Sequence, residues 1–127
     1  MKKTILFLTL LGAIVSCSKE DEEKIQSTVS NTYKLIEVLA DPGDGSGTFQ
    51  PVNSTKTIEL LPNGNVVSNG DICSMSANAS PATSGTYSYT DSTITTSDCK
   101  INFSLTGNKL ILTYPCIEPC QAKYRKL

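Results

Sequence analysis

The chain has 127 residues, 39% hydrophobic and 18% charged, with eleven basic against twelve acidic side chains and a formal net charge of −1. That balance excludes bulk nucleic-acid binding, which needs an excess of Lys and Arg to displace counterions from phosphate. It suits one small globular domain rather than a disordered chain. His and Trp are both absent, which removes the commonest general base, the commonest metal ligand and a frequent interface anchor.

The first sixteen residues read as an export signal. Lys2 and Lys3 form a positive start, and Ile5 to Val15 is mostly apolar. Eleven residues are too few to cross a bilayer, since a spanning helix needs about 20. The segment Ile14-Val15-Ser16-Cys17 resembles a bacterial lipobox, in which a small residue precedes the thiol that becomes the lipidated N-terminus. On that resemblance, acyl chains on Cys17 tie the protein to a membrane. Two or more chains give a stable anchor, because each buried CH₂ contributes about 0.8 kcal/mol. An ordinary signal peptide with an incidental Cys is the plainer reading, but an odd fifth Cys otherwise lacks a partner.

Lys19-Glu20-Asp21-Glu22-Glu23 follows directly. Such a charged run stays solvated and makes residues 17–30 a flexible spacer. It also resembles the Lys-plus-acidic export signal of Bacteroidota lipoproteins, which implies an outer-membrane lipoprotein displayed at the cell surface rather than kept in the periplasm.

From residue 31 to 127 the pattern is that of short β-prone runs separated by turn residues, with no long amphipathic helix. Tyr33–Leu39 is the first predicted strand. Its apolar residues change phase between Leu35 and Ile36, which predicts a bulge. Lys56–Leu61 presents Ile58 and Leu60 on one face, and Asn63-Gly64 is a strong hairpin signal leading into Asn65–Ser68. Gly85–Thr90 alternates Tyr87 and Tyr89 against Thr86 and Ser88, and Asp91-Ser92 turns the chain into Thr93–Thr96. Lys100–Leu105 has the cleanest period of two, through Ile101, Phe103 and Leu105. Lys109–Tyr114 and Gln121–Lys126 complete eight strands. The fold class expected is all-β, an eight-stranded antiparallel up-and-down barrel whose closure leaves no open edge. An immunoglobulin-like sandwich is the alternative, weakened by the missing core Trp.

Tyr33–Val38, the loop Asp41–Phe49, the hairpin Leu60–Asn65, Gly85-Thr86-Tyr87 and Leu110–Cys120 together resemble the lipocalin-like domain family of Bacteroidota cell-envelope lipoproteins. The resemblance covers about residues 31 to 126. It implies a lipocalin-type barrel with a small-ligand or accessory role, and no established reaction. Family members often carry Trp where this chain has Tyr33.

Cys73, Cys99, Cys116 and Cys120 remain after Cys17, and in an exported domain of this size disulfides are expected. Three pairings are possible. Cys116 with Cys120 is favoured because Pro115 and Pro119 bend the segment, leaving Cys73 for Cys99. A zinc site is disfavoured by the spacing, and a thioredoxin-type redox pair by three intervening residues rather than two. Asp41–Gly47 lacks the acid spacing of an EF-hand. Turn chemistry explains it better, with Asp41 and Asp44 accepting from nearby amides. Asp91-Ser92-Thr93 resembles a Bacteroidota O-glycosylation acceptor, with Ser92 as the modified residue, and it also reads simply as a hairpin turn.

Two functions follow from the barrel. In one, Tyr33, Leu35, Ile58, Leu60, Tyr87, Tyr89, Ile101 and Phe103, with Leu110 and Leu112, line a cavity for a small apolar ligand. In the other, side chains fill the interior, and the domain is a surface accessory module for an envelope partner. No cofactor, metal or catalytic residue is expected, because nothing in the spacing sets a nucleophile or carboxylate beside a partner group.

Overall fold

The computed structural model describes residues 29–127, so Cys17 and the Lys19–Glu23 run lie outside the described residues. The described chain is all β, with strands β1 (Asn31–Ala40), β2 (Gln50–Pro51), β3 (Thr57–Leu60), β4 (Asn65–Ser68), β5 (Thr83–Ser88), β6 (Thr93–Thr95), β7 (Lys100–Thr106), β8 (Lys109–Thr113) and β9 (Cys120–Lys126). From β3 to β9 each strand pairs antiparallel with the next. β1 pairs with β3 on one side and with β9 on the other, which closes the sheet. β2 lies on the same side of β1 as β3, opposite Glu37 and Val38, while β3 faces Asn31 to Lys34. The two therefore act as one interrupted strand, and the barrel is eight strands round, as the periodicity predicted.

The two-residue β2 was not expected. It is exposed, contains Pro51 and has no alternation to reveal it. Between β2 and β3 the ladder lapses, bracketed by Val52 N–H donating to Ile36 O at 2.9 Å and Leu35 N–H donating to Lys56 O at 3.0 Å. The expected bulge lies opposite this lapse. The β1–β9 register slips between Leu35 and Glu37, leaving Ile36 as the extra residue. Beyond it, Val38 faces Ala122 and packs against the core.

The 61–64 hairpin turn has a local cause. Gly64 takes φ 85°, a conformation that costs a residue without Cβ little. Asn63 is not in the positive-φ region. It acts instead through its side chain, whose Oδ1 accepts the Asn65 N–H at 3.1 Å. At Gly85 a Cβ would run into the Thr95 carbonyl, so the β5–β6 approach depends on its absence.

The alternation buries Leu35, Ile58, Leu60, Val66, Ile94, Leu110, Leu112, Ala122 and Tyr124 almost completely. Burying a Leu or Ile side chain contributes about 1.5–3 kcal/mol, so this inward row is what holds the sheet closed. The two ends of the barrel differ. At the hairpin end lie the tight turns 61–64, 89–92 and 107–108 and the start of β1. At the loop end lie 41–49, 69–82, 96–99 and 114–119.

Candidate functional site

Toward the hairpin end, aromatic side chains gather because Tyr33 and Tyr87 occupy inward positions near the ends of their strands and Phe103 an inward position at the middle of β7. Tyr33 and Phe103 are buried and Tyr87 is half-buried. Tyr89, expected to line the interior, lies beyond the end of β5 and is 54% exposed, because the turn reverses the chain before it can re-enter. Its ring still packs edge-on against Tyr87, with centroids 5.1 Å apart, and against Phe103 at 6.0 Å. Such edge-to-face pairs favour a fixed arrangement. Tyr87 Oη donates to Leu61 O at 2.5 Å, pinning the neighbouring hairpin. Burial raises the pKa of Tyr33 and of Tyr87, and the nearby Tyr89 hydroxyl adds to both shifts. The result is an aromatic rim of edge-packed rings with hydroxyls.

Below the rim, Ile58, Val66, Ile94, Leu110, Leu112, Ala122 and Tyr124 are at 0% exposure. Zero exposure means that no water-sized space borders these side chains, so around them the barrel is filled by its own residues. Leu35, Leu60 and Ile101 are nearly as enclosed. All ten residues expected to line a ligand cavity, the fully buried Leu110 and Leu112 among them, are therefore brought to one barrel. Tyr33, Leu35, Ile58, Leu60, Ile101 and Phe103 are in its packed core, Tyr87 lies against that core, and Tyr89 is on the rim.

The loop end is closed by a residue that the sequence reading passed over. Lys56 is wholly buried, and its Nζ donates to three backbone carbonyls of the 69–82 loop: Asp71 O at 2.6 Å, Ser74 O at 2.8 Å and Ser76 O at 3.0 Å. Burial lowers its pKa to about 8, opposed by the charge of Asp71. Ser54, also buried, donates to Ala77 O at 2.6 Å, and Tyr114 Oη donates to Ser74 O at 3.2 Å. The signal was parity: Lys56 stands two before Ile58 and four before Leu60, on the inward face.

Both favoured disulfides are present. Cys73–Cys99, with Cα atoms 5.9 Å apart, ties the 69–82 loop to the residue before β7, and Cys116–Cys120, at 6.1 Å, closes the 114–119 loop on itself. In the first loop Asp41 accepts from Gly43 and Gly45 N–H at 2.7 and 3.0 Å through Oδ1, and from Gly47 N–H at 2.8 Å through Oδ2. Asp44 accepts from Ser46 N–H at 2.9 Å. These amides hold the Asp41 carboxyl below its usual pKa, those of Gly43 and Gly47 most. The turn reading of this loop is thus what the structure shows. On the barrel wall Lys123 pairs with Glu37 at 2.6 Å and lies 3.8 Å above the Phe49 ring, which fastens the returning loop.

Ser92 sits in the exposed 89–92 turn with φ 54°. Among the described residues, no group of three or more His, Cys, Asp or Glu is placed to hold a metal ion. In comparisons with known proteins, no family model, no curated protein and no solved structure matches the chain.

Proposed function

We propose that this chain is a lipid-anchored outer-membrane lipoprotein of the cell envelope, akin to the lipocalin-like family, whose barrel acts as a non-catalytic accessory module. In this reading residues 1–16 direct export, Cys17 carries the acyl chains, and Lys19–Glu23 lead to the cell surface. The barrel then offers its loop end to an envelope partner. The observation that carries the accessory role is the filled interior, in which side chains from Ile58 to Tyr124 leave no water-sized space beside them. Stapled loops support the same role. The two disulfides and the Lys56 clamp hold the loop end in one shape, and a preorganised surface loses less entropy on binding.

The test has two parts. Mass spectrometry of protein isolated from its native envelope should find diacylglycerol on Cys17, and a Cys17→Ser chain should incorporate no palmitate label. Titration with a lipophilic fluorescent probe should give no saturable uptake. A free Cys17 removes the anchor, and stoichiometric uptake of the probe removes the filled-barrel module.

The aromatic rim favours a second reading, binding of a small apolar ligand by Tyr33, Tyr87, Tyr89 and Phe103. Here the ligand would lie across the hairpin end rather than inside the barrel. Probe uptake lost in Tyr89→Ala would support it.

A further inference from the structure

Charge and apolar exposure are distributed unevenly along the barrel axis. In register across three neighbouring strands, Lys34 on β1 faces Arg125 on β9, which faces Lys109 on β8. All three alternate with buried neighbours and so stand on the outer wall near the hairpin end. Lys126 is exposed beside them. Like charges set directly opposite one another in a sheet are unfavourable unless something outside offsets them. Among the described residues the single ion pair is Lys123–Glu37, so none of these four cations has an acidic partner within 4 Å. Glu59 and Asp91 are the acids at this end, whereas Asp41, Asp44, Asp71, Asp98 and Glu118 are all at the loop end.

Most of the exposed large apolar side chains are at this end too, fully exposed Ile117 in the 114–119 loop being the exception. Tyr89 (54% exposed), Leu105 (37%) and Leu127 (71%) are at the hairpin end. Lysine and arginine at the same end as an exposed tyrosine and leucines form the composition that settles at a headgroup boundary. β1 also starts at this end, so the chain from Cys17 arrives there. Eleven residues lie between Cys17 and Val29 in the sequence.

We infer that the hairpin end of the barrel docks on an anionic lipid surface, with Lys34, Lys109, Arg125 and Lys126 against the headgroup phosphates and Tyr89 and Leu105 at the boundary. The contact adds to the proposed acyl anchor and does not depend on it. It turns the acidic, disulfide-stapled loop end away from the membrane. A glycan on Ser92 would stand in the contact, so docking and modification at that turn exclude one another.

The test uses a chain beginning at Ser18, exported behind an unrelated cleavable leader. It lacks Cys17 and cannot be lipidated, yet keeps all nine strands and both disulfides. Loss of the acyl anchor therefore cannot be mistaken for loss of docking. Sedimentation with phosphatidylglycerol vesicles should show binding about tenfold or more tighter than with phosphatidylcholine vesicles, weakening as salt rises. Lys109→Glu with Arg125→Glu should reduce the binding to phosphatidylglycerol about tenfold or more while the melting temperature stays at the parent value. Equal binding to both vesicles, no binding to phosphatidylglycerol, or binding unmoved by the charge reversal overturns the inference. So does binding that appears only when Glu20 to Glu23 are replaced by Ala, which would make the chain's own acidic run the occupant of the cations.

Discussion

The Lys56 ammonium donates to the Asp71 carbonyl across 2.6 Å while both lie under the loop end, fifteen residues apart in the chain. With Ser74 O and Ser76 O as further acceptors, one side chain supplies the donor for three carbonyls of a loop that has no strand of its own. Lys56→Met keeps most of the volume and removes the donor. We expect it to destabilise the barrel by about 2 kcal/mol, lowering the melting temperature by roughly 10 °C. Amide exchange should rise first between residues 70 and 78. An unchanged melting temperature with unchanged exchange there would mean that the clamp contributes nothing.

The same lysine predicts an unusual alkaline profile. Its folded pKa of about 8 is below the value of about 10.4 expected when unfolded. Between these values the unfolded chain binds more protons, so stability should rise with pH, by no more than about 3 kcal/mol. Burial raises Tyr114 and Tyr124 well above an ordinary phenol, which has the opposite effect. Above about pH 10 the unfolded tyrosines ionise first and stability should fall. Urea midpoints measured from pH 7 to 11 should therefore peak near pH 10, and Lys56→Met should lose the rising limb. A flat or falling profile from pH 8 upward in the parent chain would contradict the assignment.

Much of this barrel is legible in local pattern, since strict alternation in Lys100–Leu105 and the phase change at Leu35–Ile36 each follow from inward and outward periodicity alone. The observed β7 and the observed bulge lie where that periodicity put them. Disulfide pairing was legible because four cysteines allow few solutions and Pro115 and Pro119 bend one short span. Lys56 was not recognised, because its burial depends on carbonyls fifteen to twenty residues away that only the folded loop brings to it. Tyr89 shows the converse failure. Alternation carried it inward, but β5 stops at Ser88 and the turn leaves its ring on the rim. Lys56 and Tyr89 escaped because contacts with a distant loop and the end of a strand, rather than local alternation or turn chemistry, decide where they lie.

Tyr124 is wholly buried in the packed interior with a hydroxyl that makes no hydrogen bond, and burial first and the Tyr114 hydroxyl second raise its pKa. A buried polar atom without a partner costs about 1–3 kcal/mol. Tyr124→Phe removes the oxygen and leaves the ring packing unaltered, so we expect stabilisation by about 1 kcal/mol, seen as a rise of several degrees in melting temperature. A loss of stability would show that the hydroxyl is satisfied in solution, through water or through Tyr114.

The two disulfides should contribute unequally. Cys73–Cys99 encloses a loop with a sequence separation of 26, against 4 for Cys116–Cys120. In the chain-entropy model those loops correspond to about 3.5 and about 2 kcal/mol. Replacing each pair by Ser should destabilise the protein in that order under denaturant. The opposite order would show that local geometry around Pro115 and Pro119, rather than loop length, governs the contribution.

The filled interior makes its own prediction at Leu110, which is wholly buried and faces Leu105 on β7 and Tyr124 on β9. If side chains occupy the barrel, the parent protein has no room for a benzene-sized probe, whereas Leu110→Ala opens an apolar void. The truncation should cost about 3 kcal/mol, and the cavity should then take up benzene or xenon. Uptake seen by chemical-shift change in the variant and not in the parent would match a barrel whose core serves structure. Equal uptake by both would mean that the parent barrel already holds a cavity, and would return the ligand reading to the interior.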